Sequence, residues 1–215
     1  MSEKFHNKYR IPSARASWWN YADPGVYFIT ICTHNRDCIL GVVQTHGNVE
    51  THGRASLTVI ILSPIGKIVE QEWNKSFEIR AELFCDAFVI MPNHIHAILR
   101  IEPSPATVEP DVETHGRASL PGRSSLPGRA SLPGRASLPK RTPKSISSFV
   151  AGFKSAATTR INQYRNTPKT TIWQTRFHDH IIRNDAEYQR IKHYIETNPE
   201  NWGKDKFRNK MKDLE

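Results

Sequence analysis

Residues 83–101 read LFCDAFVIMPNHIHAILRI, two apolar runs of strand length split by Pro92-Asn93. That punctuation predicts a tight hairpin between strands 83–91 and 94–101. Side chains two apart in a strand share a face. In the second run Ile95, Ala97, Leu99 and Ile101 therefore lie on one side, and His94, His96, Ile98 and Arg100 on the other. The first set is wholly apolar and should pack on helices, which turns both histidines to the opposite face. Two imidazoles so placed can converge on one cation. The same spacing also suits two histidines on a half-exposed face.

Working outward, residues 26–33 (VYFITICT) are β-branched and aromatic, as strands require. Ser63-Pro64 is a helix-start signal, followed by Ile65, Ile68, Val69, Trp73 and Phe77 at helical spacing. Thr142-Pro143 repeats the signal ahead of a stripe of Ile146, Phe149, Val150 and Phe153. Residues 177–183 form a strand candidate. Asn184 with Glu187 three residues on then opens a helix running to about 197. The order is strand, helix, strand, strand, helix, strand, helix. This is α+β: a ferredoxin-like split βαββαβ antiparallel sheet with one additional C-terminal helix.

That extra helix is the single element left to cover the histidine face. Its buried stripe is Tyr188, Ile191 and Ile195, with Tyr194 about 60° to one side and Asn198 one turn beyond Tyr194. Pro199 disfavours helix at Asn198, so the helix should end there. A tyrosine beside an apolar stripe is often an amphipathic core residue. Here the helix position brings Tyr194 and Asn198 towards His94 and His96.

The 215 residues suffice for a single domain and are too few for the large barrels that also carry His-x-His metal sites. VETHGRASL occurs twice, at 49–57 and 112–120, and the second copy runs on in Pro-Gly-Arg units to Leu138. One leucine per unit cannot bury a core, so inserts at about 45–57 and 103–140 are expected to be disordered surface loops. Three widely spaced cysteines argue against disulfides and against a cysteine zinc site. No apolar run approaches the roughly 20 residues that span a bilayer, and residues 1–15 hold no signal-peptide core. A cytoplasmic protein with no membrane partner is expected.

The net charge of +9 points to a polyanion. Residues 140–215 hold 16 Lys/Arg against 8 Asp/Glu. Lys144, Lys154 and Arg160 fall on the second helix, and Arg176 and Arg183 flank the last strand. Lys204, Lys206, Arg208, Lys210 and Lys212 lie in a basic tail at about 203–215. These are candidate phosphate contacts, each equally suited to a solvated surface. Trp173 and Phe177 suit base stacking or the core; His178 and His180 suit proton transfer or a structural role.

The motif MPNHIH at 91–96 resembles the metal motif of the HUH single-tyrosine transposases. Trp173-Gln174, FHDHIIRN at 177–184 and YIETNP at 194–199 resemble the C-terminal half of REP-associated tyrosine transposases, an IS200-like group. The similarity spans residues 21–202 apart from the inserts. It implies a site-specific endonuclease and transposase acting on single-stranded or hairpin DNA, as a monomer or homodimer. It also implies Mg²⁺ or Mn²⁺ held by His94 and His96, with Tyr194 as nucleophile forming a 5′-phosphotyrosine. Asn198 falls where related enzymes carry a glutamine as third ligand. Two other readings fit the same residues: a catalytically inactive nucleic-acid-binding protein on this fold, and a metal-dependent hydrolase in which Tyr194 is structural.

Overall fold

The computed structural model describes residues 19–46, 57–102 and 143–208, together with a short backbone ladder between Lys4–Phe5 and Lys8–Tyr9. Four antiparallel strands form the central sheet. Strand β1 is Gly25–Cys32; a hairpin of β2 (Gly41–His46) and β3 (Leu57–Leu62) follows it, then helix α1 (Pro64–Glu78). Next come β4 (Leu83–Met91), β5 (His94–Ile101), α2 (Ile146–Arg165), β6 (His178–Ile182) and α3 (Asp185–Glu196). Spatial order in the main sheet is β4-β5-β1-β6, the strand order of a ferredoxin-like fold.

The β4–β5 hairpin turns at Pro92-Asn93 as its punctuation predicts, with Met91 opposite His94. Ile95, Ala97, Leu99 and Ile101 join Tyr27, Ile29 and Ile31 of β1 in the main core under α1 and α2. Trp73 of α1 fills its centre, stacked on Phe88 at 5.1 Å and edge-on to Phe153 at 5.1 Å. The other sheet face carries a smaller cluster, in which Ile98 and Ile182 meet Ile191 and Ile195 of α3. Each such burial contributes roughly 1.5–3 kcal/mol, so a few isoleucines suffice to seat a short helix.

Helix α1 starts where the Ser63-Pro64 signal puts it, with Ser63 Oγ accepting from Gly66 N at 3.0 Å. Asn184 caps α3 in the same manner, accepting from Glu187 N at 2.9 Å. Two expectations require correction. Helix α2 is capped by Ser145 instead of Thr142, because its side chain accepts from Ser148 N. The segment before α1, where no strand is expected, forms the β2–β3 hairpin, pairing Gly41 with Leu62 through to His46 with Leu57. Both ends of the expected 45–57 interval therefore belong to strands. Residues 47–56 and 103–142, with most of both expected inserts, and residues 209–215, with Lys210 and Lys212, lie outside the described residues.

Gly66 shows how closely α1 docks on the segment before β2. A Cβ at this position would meet the Leu40 carbonyl oxygen at 1.9 Å, a backbone atom that cannot swing aside. Alanine ordinarily favours a helix over glycine by about 1 kcal/mol. Gly66→Ala should nevertheless destabilise the protein, lowering the urea midpoint of unfolding; a raised midpoint would show that α1 is not held against Leu40.

Candidate active site

Strand alternation delivers His94 and His96 to the face opposite the main core, and α3 and the segment after it roof them over. His94 is 0% and His96 1% exposed, with ring centroids 4.5 Å apart. Each Nδ1 is engaged by a neighbour: His94 Nδ1 lies 2.8 Å from Asn93 Oδ1, and His96 Nδ1 lies 2.8 Å from Thr30 Oγ1. Both Nε2 atoms are thereby left for other partners. His94 Nε2 is buried without a hydrogen-bond partner, 3.7 Å from Asp205 Oδ2. His96 Nε2 faces the Tyr194 hydroxyl at 3.1 Å. The tyrosine, His94 and His96 meet within one chain.

Ligating atoms of His94, His96 and Asp205 lie within 4.8 Å of one another, a group that can hold a metal ion. Two neutral imidazoles and one carboxylate suit a divalent cation. His94 Nε2, buried with no hydrogen-bond partner, fits the part of a ligand in such a site. Asn198 supports the same reading: it is 2% exposed, lines the same cleft, and its Oδ1 is buried without a partner.

Electrostatics agree with ligand roles. Burial depresses the His94 pKa to about 3, with the positive charge of Arg36 adding to the effect. Burial likewise lowers His96 to about 2, helped by His94, Lys206 and His178. Both rings are therefore neutral near pH 7, as coordination requires. The Tyr194 phenol is pushed above its ordinary value, first by burial and then by the Asp205 charge, while a contact from Asn198 pulls the other way. At 40% exposure its hydroxyl remains open to the cleft.

The cleft measures about 1210 Å³, and Arg36, Arg190, Lys204 and Lys206 stand on its rim. Among the described residues, the candidate phosphate contacts that line it are Lys204 and Lys206. Lys154 and Arg160 lie across the sheet and serve the fold. Lys154 Nζ donates to the Gln174 and Arg176 carbonyls at 2.7 and 3.2 Å; Arg160 binds Glu72 at 2.7 Å and Gln71 at 2.9 Å on α1. Lys144 sits ahead of α2 with φ 57°, on that far side. Arg176, Arg183 and Arg208 are exposed and do not line the cleft. Trp173 is buried in the main core with Phe177 packed against it. His178 and His180 do reach the cleft, where His180 Nε2 lies 2.8 Å from Glu187 Oε1 at the start of α3.

Asp205 and Phe207 escaped the sequence reading. Residues 202–208 fold back so that the Phe207 ring lies 4.8 Å from that of His94. The one available signal was an acidic residue interrupting a basic run at Lys204-Asp205-Lys206.

No family model matches the chain. An uncharacterized protein of Haemophilus influenzae is 31% identical over 195 residues, covering 91% of each chain. The chain belongs to that protein's family. A solved structure of a REP-associated tyrosine transposase bound to a REP hairpin superposes with a TM-score of 0.52 at 18% identity. It covers 90% of this chain and 75% of that one, and the fold is shared. Among the described residues no helix is long and apolar enough to cross a membrane.

In the metal-free protein the two buried imidazoles should make stability depend on pH. An unfolded chain protonates them near 6.5, whereas the folded protein resists until about 3 and about 2. Between those limits the unfolded state binds more protons, so this contribution is complete above pH 6.5 and lost as pH falls. The slope is at most about 1.4 kcal/mol per pH unit for each histidine. Urea unfolding at pH 7.0 and 5.5 should show the loss, and a His94→Gln/His96→Gln double variant should show a shallower one. Equal slopes would mean that the rings are not held neutral by burial.

Proposed function

We propose that this protein is a metal-dependent, single-tyrosine DNA endonuclease and transposase that cleaves and rejoins single-stranded DNA, with hairpins or repetitive palindromes as substrate. The observation that carries this reading is the Tyr194 hydroxyl 3.1 Å from His96, beside the His94, His96 and Asp205 group. The shared fold with a transposase bound to a hairpin supports it.

Tyr194 Oη is the nucleophile. It attacks the scissile phosphorus; the phenol gives up its proton to solvent, the Oη–P bond forms, the P–O3′ bond breaks, and the departing oxygen takes a proton from solvent to become a 3′-hydroxyl. A free phenol with a pKa near 10 is a weak nucleophile at neutral pH, and Tyr194 lies above that value. Mg²⁺ or Mn²⁺ held by His94, His96 and Asp205, with Asn198 at the edge of the set, would supply Lewis-acid neutralisation of the phosphate charge. The phosphotyrosine conserves the phosphodiester bond energy, so attack by a 3′-hydroxyl rejoins the strand without a nucleotide cofactor. Arg36, Arg190, Lys204 and Lys206 on the cleft rim draw in the phosphate backbone, an attraction that weakens as salt rises. The phenol lies against His96 of its own chain, which supports cleavage by a single subunit.

The test is a denaturing gel of protein incubated with labelled single-stranded hairpin DNA and Mn²⁺. A covalent adduct is expected from the native protein and none from Tyr194→Phe, with Asp205→Asn needing more Mn²⁺ for the same yield. DNA binding without any adduct would reduce the protein to a binding module. Cleavage that survives Tyr194→Phe would make it a hydrolase with a structural tyrosine.

A further inference from the structure

Asn93 occupies the second position of the two-residue turn between β4 and β5 and is 0% exposed. A turn asparagine ordinarily needs no more than its own backbone conformation. Here both the amide nitrogen and the amide oxygen of the side chain are engaged. Its Nδ2 donates to the Arg36 carbonyl at 3.0 Å and to the Phe207 carbonyl at 2.7 Å. Two carbonyl acceptors fix which end of the amide is nitrogen, so the atom 2.8 Å from His94 Nδ1 is the carboxamide oxygen. An amide oxygen can only accept; His94 Nδ1 therefore carries the proton, and its Nε2 carries the lone pair that faces Asp205. The main chain is held too, with Asn93 O accepting from Thr33 N at 2.9 Å and Thr33 Oγ1 at 3.0 Å.

From these contacts we infer that Asn93 is the positioning residue of the metal centre, with two separable tasks. Its oxygen selects the His94 tautomer that can bind a cation. Its nitrogen ties down the 205–207 segment, so that Asp205 stays beside the histidines. Asp205 is itself braced within that segment, Oδ1 accepting from Phe207 N at 2.7 Å. One buried amide thus links a ligand from the sheet with a ligand from the chain's last described turn. The inference rests on the metal reading proposed above, and Asn93 touches neither ion nor DNA.

Two full-length variants separate the tasks. Asn93→Ala removes both; Asn93→Asp keeps an acceptor for His94 but sets a carboxylate against two carbonyls, releasing the segment. The His94 tautomer is read by histidine-selective ¹⁵N NMR without metal, and the segment by amide exchange at 205–208. Mn²⁺ affinity is read by electron paramagnetic resonance. In the native protein His94 should be protonated at Nδ1. Asn93→Ala should mix the tautomers, speed exchange, and weaken Mn²⁺ binding roughly tenfold to a hundredfold, the usual cost of losing a partner behind a metal ligand. Asn93→Asp should retain the tautomer and still speed exchange. An unchanged tautomer in Asn93→Ala, or unchanged exchange in Asn93→Asp, would overturn the assignment. Should Asn93→Ala fail to fold, Asn93→Asp decides alone, by those same two readouts. If the native protein binds no Mn²⁺, the proposed function fails, while the tautomer and exchange still judge the role of Asn93.

Discussion

Strand β5 is enclosed on both faces, and most of the molecule follows from that enclosure. Its apolar residues enter the core beneath α1 and α2, while His94 and His96 are driven into the opposite face with the rings in contact. Removing two imidazoles from water is costly unless their polar atoms are met. Asn93 and Thr30 meet one nitrogen of each ring, and Tyr194 meets a third atom. The nitrogen left over, His94 Nε2, is buried beside Asp205 with no hydrogen-bond partner.

The two sheet faces are packed unequally, and that inequality makes room for chemistry. Trp73, Phe149 and Phe153 fill the space under α1 and α2. Under α3 the buried contacts are mainly four isoleucines, and the rest of that face opens into the cleft. A phenol at the border of such a helix is half in protein and half in solvent, open to whatever enters the cleft. At the far end of α3, Tyr188 reaches Asp86, which is itself paired with Arg100. The helix carrying Tyr194 is therefore attached to the sheet by polar as well as apolar contacts.

Charge is divided by the fold in a way that composition conceals. Lys154 and Arg160 are as basic as Lys204 and Lys206, yet they close gaps between α2 and its neighbours on the far side of the sheet. Arg36 and Arg190, inconspicuous in the sequence, reach the cleft rim because a short loop after β1 and one face of α3 point there. Net charge states that a polyanion is welcome; the site at which it is welcomed is a property of the folded surface.

Local rules were sufficient for much of this protein. Strand period, proline punctuation and capping residues determined the β4–β5 hairpin, the starts of α1 and α3, the ferredoxin-like order and the face on which the histidines lie. They also placed Tyr194 and Asn198 at the edge of a buried stripe. Each of these depends on residues a few positions apart, so it can be read along the chain. The β2–β3 strands are legible in the β-branched Val42, Val43, Val59, Ile60 and Ile61, although the repeat at 49–57 interrupts the pattern between them. The carboxylate of the site was beyond such reading. Asp205 lies more than a hundred residues from His94 and approaches it because the chain after α3 turns back, held by the Asn93 amide. Local preference has no term for that contact; tertiary packing alone supplies it.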